Sequence, residues 1–127
     1  PDWDILIPSL RITKPESPHI VKVVCDVDSR IVYLSRAVIP QPFRHQPSSY
    51  LKHLSIISFK PEALKKFASL PPSNLEIAEG VELLRALENG LILGTVILEG
   101  SSFSVDVEED YIKSKEKMSK DEIRKQY

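Results

Sequence analysis

The stretch Ile20-Val21-Lys22-Val23-Val24-Cys25-Asp26-Val27-Asp28-Ser29-Arg30-Ile31-Val32-Tyr33-Leu34 decides how the fold is read. Two runs rich in β-branched residues, Ile20 to Cys25 and Ile31 to Leu34, flank the polar tetrad Asp26 to Ser29, which is the composition of a β-hairpin. Toward the N-terminus, Thr13-Lys14-Pro15-Glu16-Ser17-Pro18 carries two prolines that fix φ and remove backbone donors, so a loop is expected there. Before it, Ile5-Leu6-Ile7 reads as a strand already inside a sheet. The sequence opens at Pro1 without a Met and enters this strand almost at once, so a fragment or processed chain is the expectation.

Toward the C-terminus, Pro40-Gln41-Pro42-Phe43-Arg44-His45-Gln46-Pro47 is proline-rich and polar, which predicts a surface loop, and a third strand is expected from about Leu51 to Phe59. Pro61 suits the first turn of a helix, because the donor it lacks would be unpaired there, and Ala63-Leu64-Lys65-Lys66-Phe67 continues a short amphipathic helix. A longer helix is predicted over Leu75–Asn89. Ser73 and Glu76 form a capping-box pattern, Ile77, Val81, Leu84 and Leu91 recur at helical spacing, and Asn89-Gly90 supplies the stop. Leu91 to Leu98 reads as a strand, Gly100-Ser101-Ser102 as a loop, and Val107 onward as a charged terminal helix. The order of elements is mixed α/β in a single domain spanning residues 1–127, with a largely antiparallel part of a sheet whose edges call for further chain or a second copy.

The 127 residues suffice for one hydrophobic core and not for two. A net charge of −1, from 17 Lys and Arg against 18 Asp and Glu, gives no electrostatic case for a nucleic-acid or anionic-membrane partner. A small molecule or a protein is the expected partner. The single cysteine, Cys25, has no internal partner and is expected as a buried, reduced thiol, which fits the cytoplasm. No apolar stretch approaches the roughly 18 residues of a membrane span.

Four groups of residues could carry chemistry. Glu76, Glu79 and Glu82 recur every three positions, which on one continuous helix places them in a single arc with Arg85 a step further round; this is either a solvated face or a surface for a hydroxyl-rich ligand or cation. Asp106, in Ser104-Val105-Asp106-Val107-Glu108-Glu109-Asp110, either caps a helix together with Glu109 or holds a hard cation at a strand end. His53 shares an expected strand face with Ser55, Ile57 and Phe59, in a structural or a ligand-binding role. Arg36, at the end of the hairpin's second strand, offers a fork suited to a carboxylate. The four glycines, at 80, 90, 94 and 100, make no phosphate-binding loop of the dinucleotide or Walker type.

Taken in order, Ser17-Pro18-His19-Ile20-Val21-Lys22-Val23-Val24, Tyr33-Leu34-Ser35-Arg36-Ala37-Val38-Ile39-Pro40, Lys52-His53-Leu54, Leu75-Glu76 through Glu88-Asn89-Gly90, and Val105-Asp106 with Glu109-Asp110 resemble the C-terminal part of the cytidylyltransferases that make CMP-activated sugar acids, the CMP-Kdo synthetases above all. The resemblance implies a mixed-sheet nucleotidyltransferase fold whose N-terminal, nucleotide-binding half is absent from this chain. It implies transfer of CMP from CTP to a 2-keto sugar acid, with Mg²⁺ on the phosphates and a homodimer. By the same resemblance Arg36, His53, Glu79 and Glu82 would bind the substrate and Asp106 the metal. A non-catalytic dimerisation or sugar-binding domain is the alternative. Ser55, Ile57, Ser58 and Phe59 replace the glycines and tyrosines usual in such enzymes, and Ser104 and Val107 also depart from the pattern, which suggests a divergent sugar specificity.

Overall fold

The computed structural model describes residues 2–100, 108–121 and 123. Along the chain run β1 (Ile5–Ile12), β2 (Lys22–Cys25), β3 (Ile31–Ser35), β4 (Tyr50–His53), β5 (Ser58–Phe59), α1 (Pro61–Ser69), α2 (Asn74–Glu79), α3 (Leu83–Glu88), β6 (Leu93–Leu98) and α4 (Glu108–Ser119). The mixed α/β expectation holds, and the sheet is built around β1. On one flank β1 runs parallel to β6, from Ile5↔Leu93 to Leu10↔Leu98. On the other it is antiparallel to β4 over residues 9–12 and to β5 over residues 5–6, and β2 and β3 continue the sheet beyond β4.

The hairpin forms as its sequence predicts, β2 against β3 with a bulge between Val24 and Cys25. Asp26 organises the turn: its Oδ1 accepts from the backbone N–H of Asp28 and of Arg30, each at 2.9 Å. Cys25 is only half-buried where full burial was expected, and burial followed by the charge of Asp26 pushes its thiol pKa up.

The strand expected from Leu51 to Phe59 is interrupted. It divides into β4 and the two-residue β5, and Leu54 to Ile57 leave the ladder. The cause lies in the neighbouring strand. Pro8 turns its carbonyl toward this segment, where it accepts from the Leu54 N–H at 3.4 Å, and its ring nitrogen on the same side has no proton to return. With pairing broken opposite Pro8, Ser55 adopts φ +63° and the expected shared face of His53, Ser55, Ile57 and Phe59 is lost.

The single helix expected over Leu75–Asn89 is likewise two helices. Gly80 takes the left-handed conformation, φ +66° and ψ +36°, and ends α2 with its N–H on the Glu76 carbonyl. The capping box is present, with Ser73 Oγ accepting from Glu76 N and Glu76 Oε2 accepting from Ser73 N. The break turns Ile77 out to solvent, 70% exposed, although its spacing suggested a core position. Val81, Leu83, Leu84 and Ala86 nevertheless pack with Ile5, Ile7, Val23, Leu34 and Leu93 into one apolar cluster beneath the sheet. α1 starts on Pro61 as expected, and its Phe67 meets Phe59 with ring centroids 5.4 Å apart. On the opposite face of β6, Gly94 lies under the Trp3 indole, where a Cβ would come within 2.3 Å of the ring.

Candidate functional site

A lysine in the middle of an apolar strand must find partners for its ammonium group, because burying a charge without them is prohibitive. Lys22 is wholly buried, and its Nζ donates to the carbonyls of Ser17 at 3.0 Å, Ile20 at 2.7 Å and Arg36 at 2.5 Å. Three donations require the protonated form, even though burial and then the nearby Arg36 charge lower its pKa. One ammonium thereby ties the Ser17–Ile20 loop to the end of β3.

Arg36 extends this junction to the helices. Its Nε donates to the Glu79 carbonyl at 2.8 Å and its Nη2 to the Gly80 carbonyl at 3.0 Å, which are carbonyls freed where α2 ends; Nη1 donates to Pro18 at 2.9 Å. Arg36 is thus the cap that accepts the break at Gly80. Behind it, the Glu79 carboxylate takes Ser35 Oγ at 2.6 Å, the Arg36 N–H at 3.0 Å and Tyr33 Oη at 3.3 Å. Burial pushes the Glu79 carboxyl up, but these hydrogen bonds outweigh it and hold the pKa below the ordinary value.

The three glutamates therefore do not share an arc. Glu76 forms a two-pronged pair with Arg85, at 2.8 and 2.6 Å, that joins α2 to α3, while the Arg85 guanidinium lies 4.9 Å from the Phe67 ring centroid. Glu79 faces the hairpin, and Glu82 is exposed at the start of α3.

Between the Ser17–Val21 loop, the end of β4 and the Gly80–Leu83 turn runs a groove. One part, of about 500 Å³, is lined by His19, Arg36, Lys52, His53 and Ser55 among others. A second part, of about 270 Å³, shares Arg36, His53 and Ser55 and adds Ile57, Glu82 and Leu83. Arg36, His53 and Glu82 thus line one cavity, whereas Glu79, grouped with them from the sequence, is not among its lining residues and holds the Arg36 amide from behind. Asp106 lies outside the described residues, and among those residues no group of three or more His, Cys, Asp or Glu is placed to hold a metal ion.

His53 is half-buried, and that burial lowers its pKa, so the imidazole is neutral at pH 7. Its Nδ1 lies 3.4 Å from the Ser55 N–H, which makes Nδ1 the acceptor and leaves Nε2 with the proton. The groove therefore offers a neutral N–H donor at His53, an acceptor at Glu82 and cations at Arg36 and Lys52. Lys52 and His19 were missed as site residues. The register Lys22↔Lys52 puts both lysines on one face of the sheet, a relation between separate strands that neither stretch reveals alone.

The cytidylyltransferase family model matches residues 2–101. A 3-deoxy-manno-octulosonate cytidylyltransferase of Rickettsia typhi is 39% identical over 115 residues, covering 89% of this chain and 46% of that protein. One from Acidobacterium capsulatum is 45% identical over 96 residues, covering 74% of this chain and 39% of the relative. The solved structure of a CMP:2-keto-3-deoxy-manno-octonic acid synthetase complexed with CTP superposes with a TM-score of 0.84 at 28% identity, over 94% of this chain and 51% of that one. The chain spans less than half the length of these two curated relatives and about half of the solved neighbour.

Proposed function

Because this chain belongs to the cytidylyltransferase family, we propose that it supplies the acceptor side of a CMP transfer from CTP to a 2-keto sugar acid, an octulosonic or nonulosonic acid, with release of pyrophosphate. The observation that carries this reading is the convergence of Arg36, His53 and Glu82 on one groove. Arg36 and Lys52 attract the carboxylate, His53 Nε2–H donates to a hydroxyl or ring oxygen, and Glu82 accepts from a hydroxyl. Such a transfer asks the protein mainly to hold the attacking hydroxyl in line with the α-phosphate and to exclude competing orientations. The Lys22, Arg36 and Glu79 junction contributes by fixing the hairpin-side wall of the groove before the ligand arrives.

Mg²⁺ on the phosphates completes the proposal, with Asp106 as its ligand from this chain, and the ion would neutralise charge on the triphosphate. The loop that grips that triphosphate is assigned to sequence beyond these 127 residues. Pairing of two copies through the hairpin and the His53 strand, a cytoplasmic location and a role in lipopolysaccharide or surface-polysaccharide synthesis belong to the same reading.

Titration of the labelled chain with Kdo and with a sialic-type acid, followed by NMR, tests it. The expected outcome is a shift of the His53 ring and Arg36 side-chain signals at millimolar ligand. Absence of any such shift with both acids overturns the assignment. The chain by itself is expected to release no pyrophosphate from CTP and either acid, and turnover by it would overturn the assignment of the triphosphate loop to residues elsewhere.

A further inference from the structure

The two parts of the groove differ in chemistry. In the larger one Arg36 and Lys52 stand with His19 and His53, and among the described residues none that lines it is a carboxylate. In the smaller one Val21, Ile57, Val81 and Leu83 form an aliphatic wall, and Glu82 is the acidic group beside it. Val21, Arg36, His53 and Ser55 line both, so the two are ends of one groove and a single ligand can touch each. Arg36 spends three of its five N–H groups on carbonyls, which leaves one on each terminal nitrogen, and the guanidinium charge, for an acidic ligand.

The aliphatic wall combines buried and accessible positions. Val81 and Leu83 belong to the core and only their edges reach the groove, whereas Ile57 lies outside the core cluster, is 38% exposed, and sits in the segment released from the sheet opposite Pro8. An exposed isoleucine that lines the groove together with a valine and a leucine gives an apolar surface to whatever lies at that end. Among the described lining residues of that end, Glu82 and the shared Ser55 are the side chains that accept readily from a hydroxyl, and a hydroxyl set against the aliphatic wall itself loses its water without replacement.

We infer that the groove takes its sugar acid with the carboxylate at the Arg36 and Lys52 end, and that Ile57 with its aliphatic neighbours selects an acid whose far end carries an apolar group, such as a deoxygenated terminal carbon or an acyl substituent. This rests on the sugar-acid reading above and adds a direction to its specificity. An apolar pocket rejects an added hydroxyl by about a hundredfold at most, and the acceptors at Glu82 and Ser55 reduce that, so a preference of about tenfold is expected.

Calorimetric titration of the chain with Kdo and with its 8-deoxy analogue measures the preference. The analogue should bind about tenfold more tightly. Ile57→Asn should bring the two affinities within about twofold, while Lys52→Ala should weaken both acids in equal proportion and leave their ratio unchanged. Equal binding of the two acids by the unaltered chain, or tighter binding of Kdo, overturns the inference and leaves the sugar-acid reading standing. Unequal weakening by Lys52→Ala overturns the proposed orientation. Failure of both acids to bind overturns the sugar-acid reading and this inference with it.

Discussion

The two walls of the groove are built on opposite principles. On the hairpin side, Lys22, Arg36 and Glu79 form a junction in which one ammonium meets three carbonyls, one guanidinium meets three more, and one carboxylate accepts three donors. On the other side, the segment from Leu54 to Ile57 has left the sheet, passes through φ +63° at Ser55 and exposes Ile56 and Ile57 by 61% and 38%. A network of satisfied polar groups holds a single geometry, because moving any member strands the others. A released segment with apolar side chains imposes no such condition. In the proposed function the first wall would set where a ligand sits, and the second would be free to change its residues and with them the ligand accepted.

The contrast can be broken most severely at Lys22. Lys22→Met keeps the length of the side chain but leaves the carbonyls of Ser17, Ile20 and Arg36 without their donor, and a loss of about 3 kcal/mol or more is expected in a urea melt, with sugar-acid binding lost alongside. Glu79→Gln removes the charge that Ser35, Tyr33 and the Arg36 amide satisfy, at a cost of about 2 kcal/mol. Gly80→Ala must hold an L-residue in the left-handed region and should cost about 1 kcal/mol in the same assay. Ile57→Asn on the opposite wall should change stability by less than about 0.5 kcal/mol, although under the specificity inferred above it is expected to alter ligand selection. A large destabilisation by Ile57→Asn, or a negligible one by Lys22→Met, would abolish the distinction.

Protonation sharpens the same comparison, because each wall has its own group. Glu79 has a folded-state pKa below its unfolded value, so its contribution is full above about pH 4.5 and disappears as pH falls through the folded value. His53 is also lowered, in its case by burial, so the unfolded chain takes up the proton first as pH falls below about 6.5. Stability should therefore decline in two stages on acidification. In Glu79→Gln the lower stage should shrink and the upper one remain, as thermal melts from pH 8 to pH 3 would reveal.

Much of the fold was legible from local pattern. The hairpin follows from two β-branched runs around an Asp-rich turn, α1 from Pro61, the start of α2 from Ser73 and Glu76, and β6 from its apolar run. Both errors of continuity arose where a distant residue intervened. Pro8, some 46 residues before Leu54, removes the donor that a continuous strand would need. Gly80 was visible within an otherwise regular helical period, but its left-handed turn is accommodated by Arg36, 44 residues away, which caps the released carbonyls. The spacing that suggested one acidic arc therefore produced three glutamates with three different surroundings.

The sequence by itself determined the element types and the ordered motifs that carry the family likeness, because hydrophobic period, turn chemistry and motif order are properties of neighbours along the chain. Tertiary structure alone decided that Lys22 is a buried peg, that Glu79 supports Arg36 instead of facing the groove, and that Lys52 and Ile57 mark its two ends. The physical reason is the same in each case: where a charged or apolar side chain ends up depends on the partner that satisfies it, and here those partners come from other strands and helices.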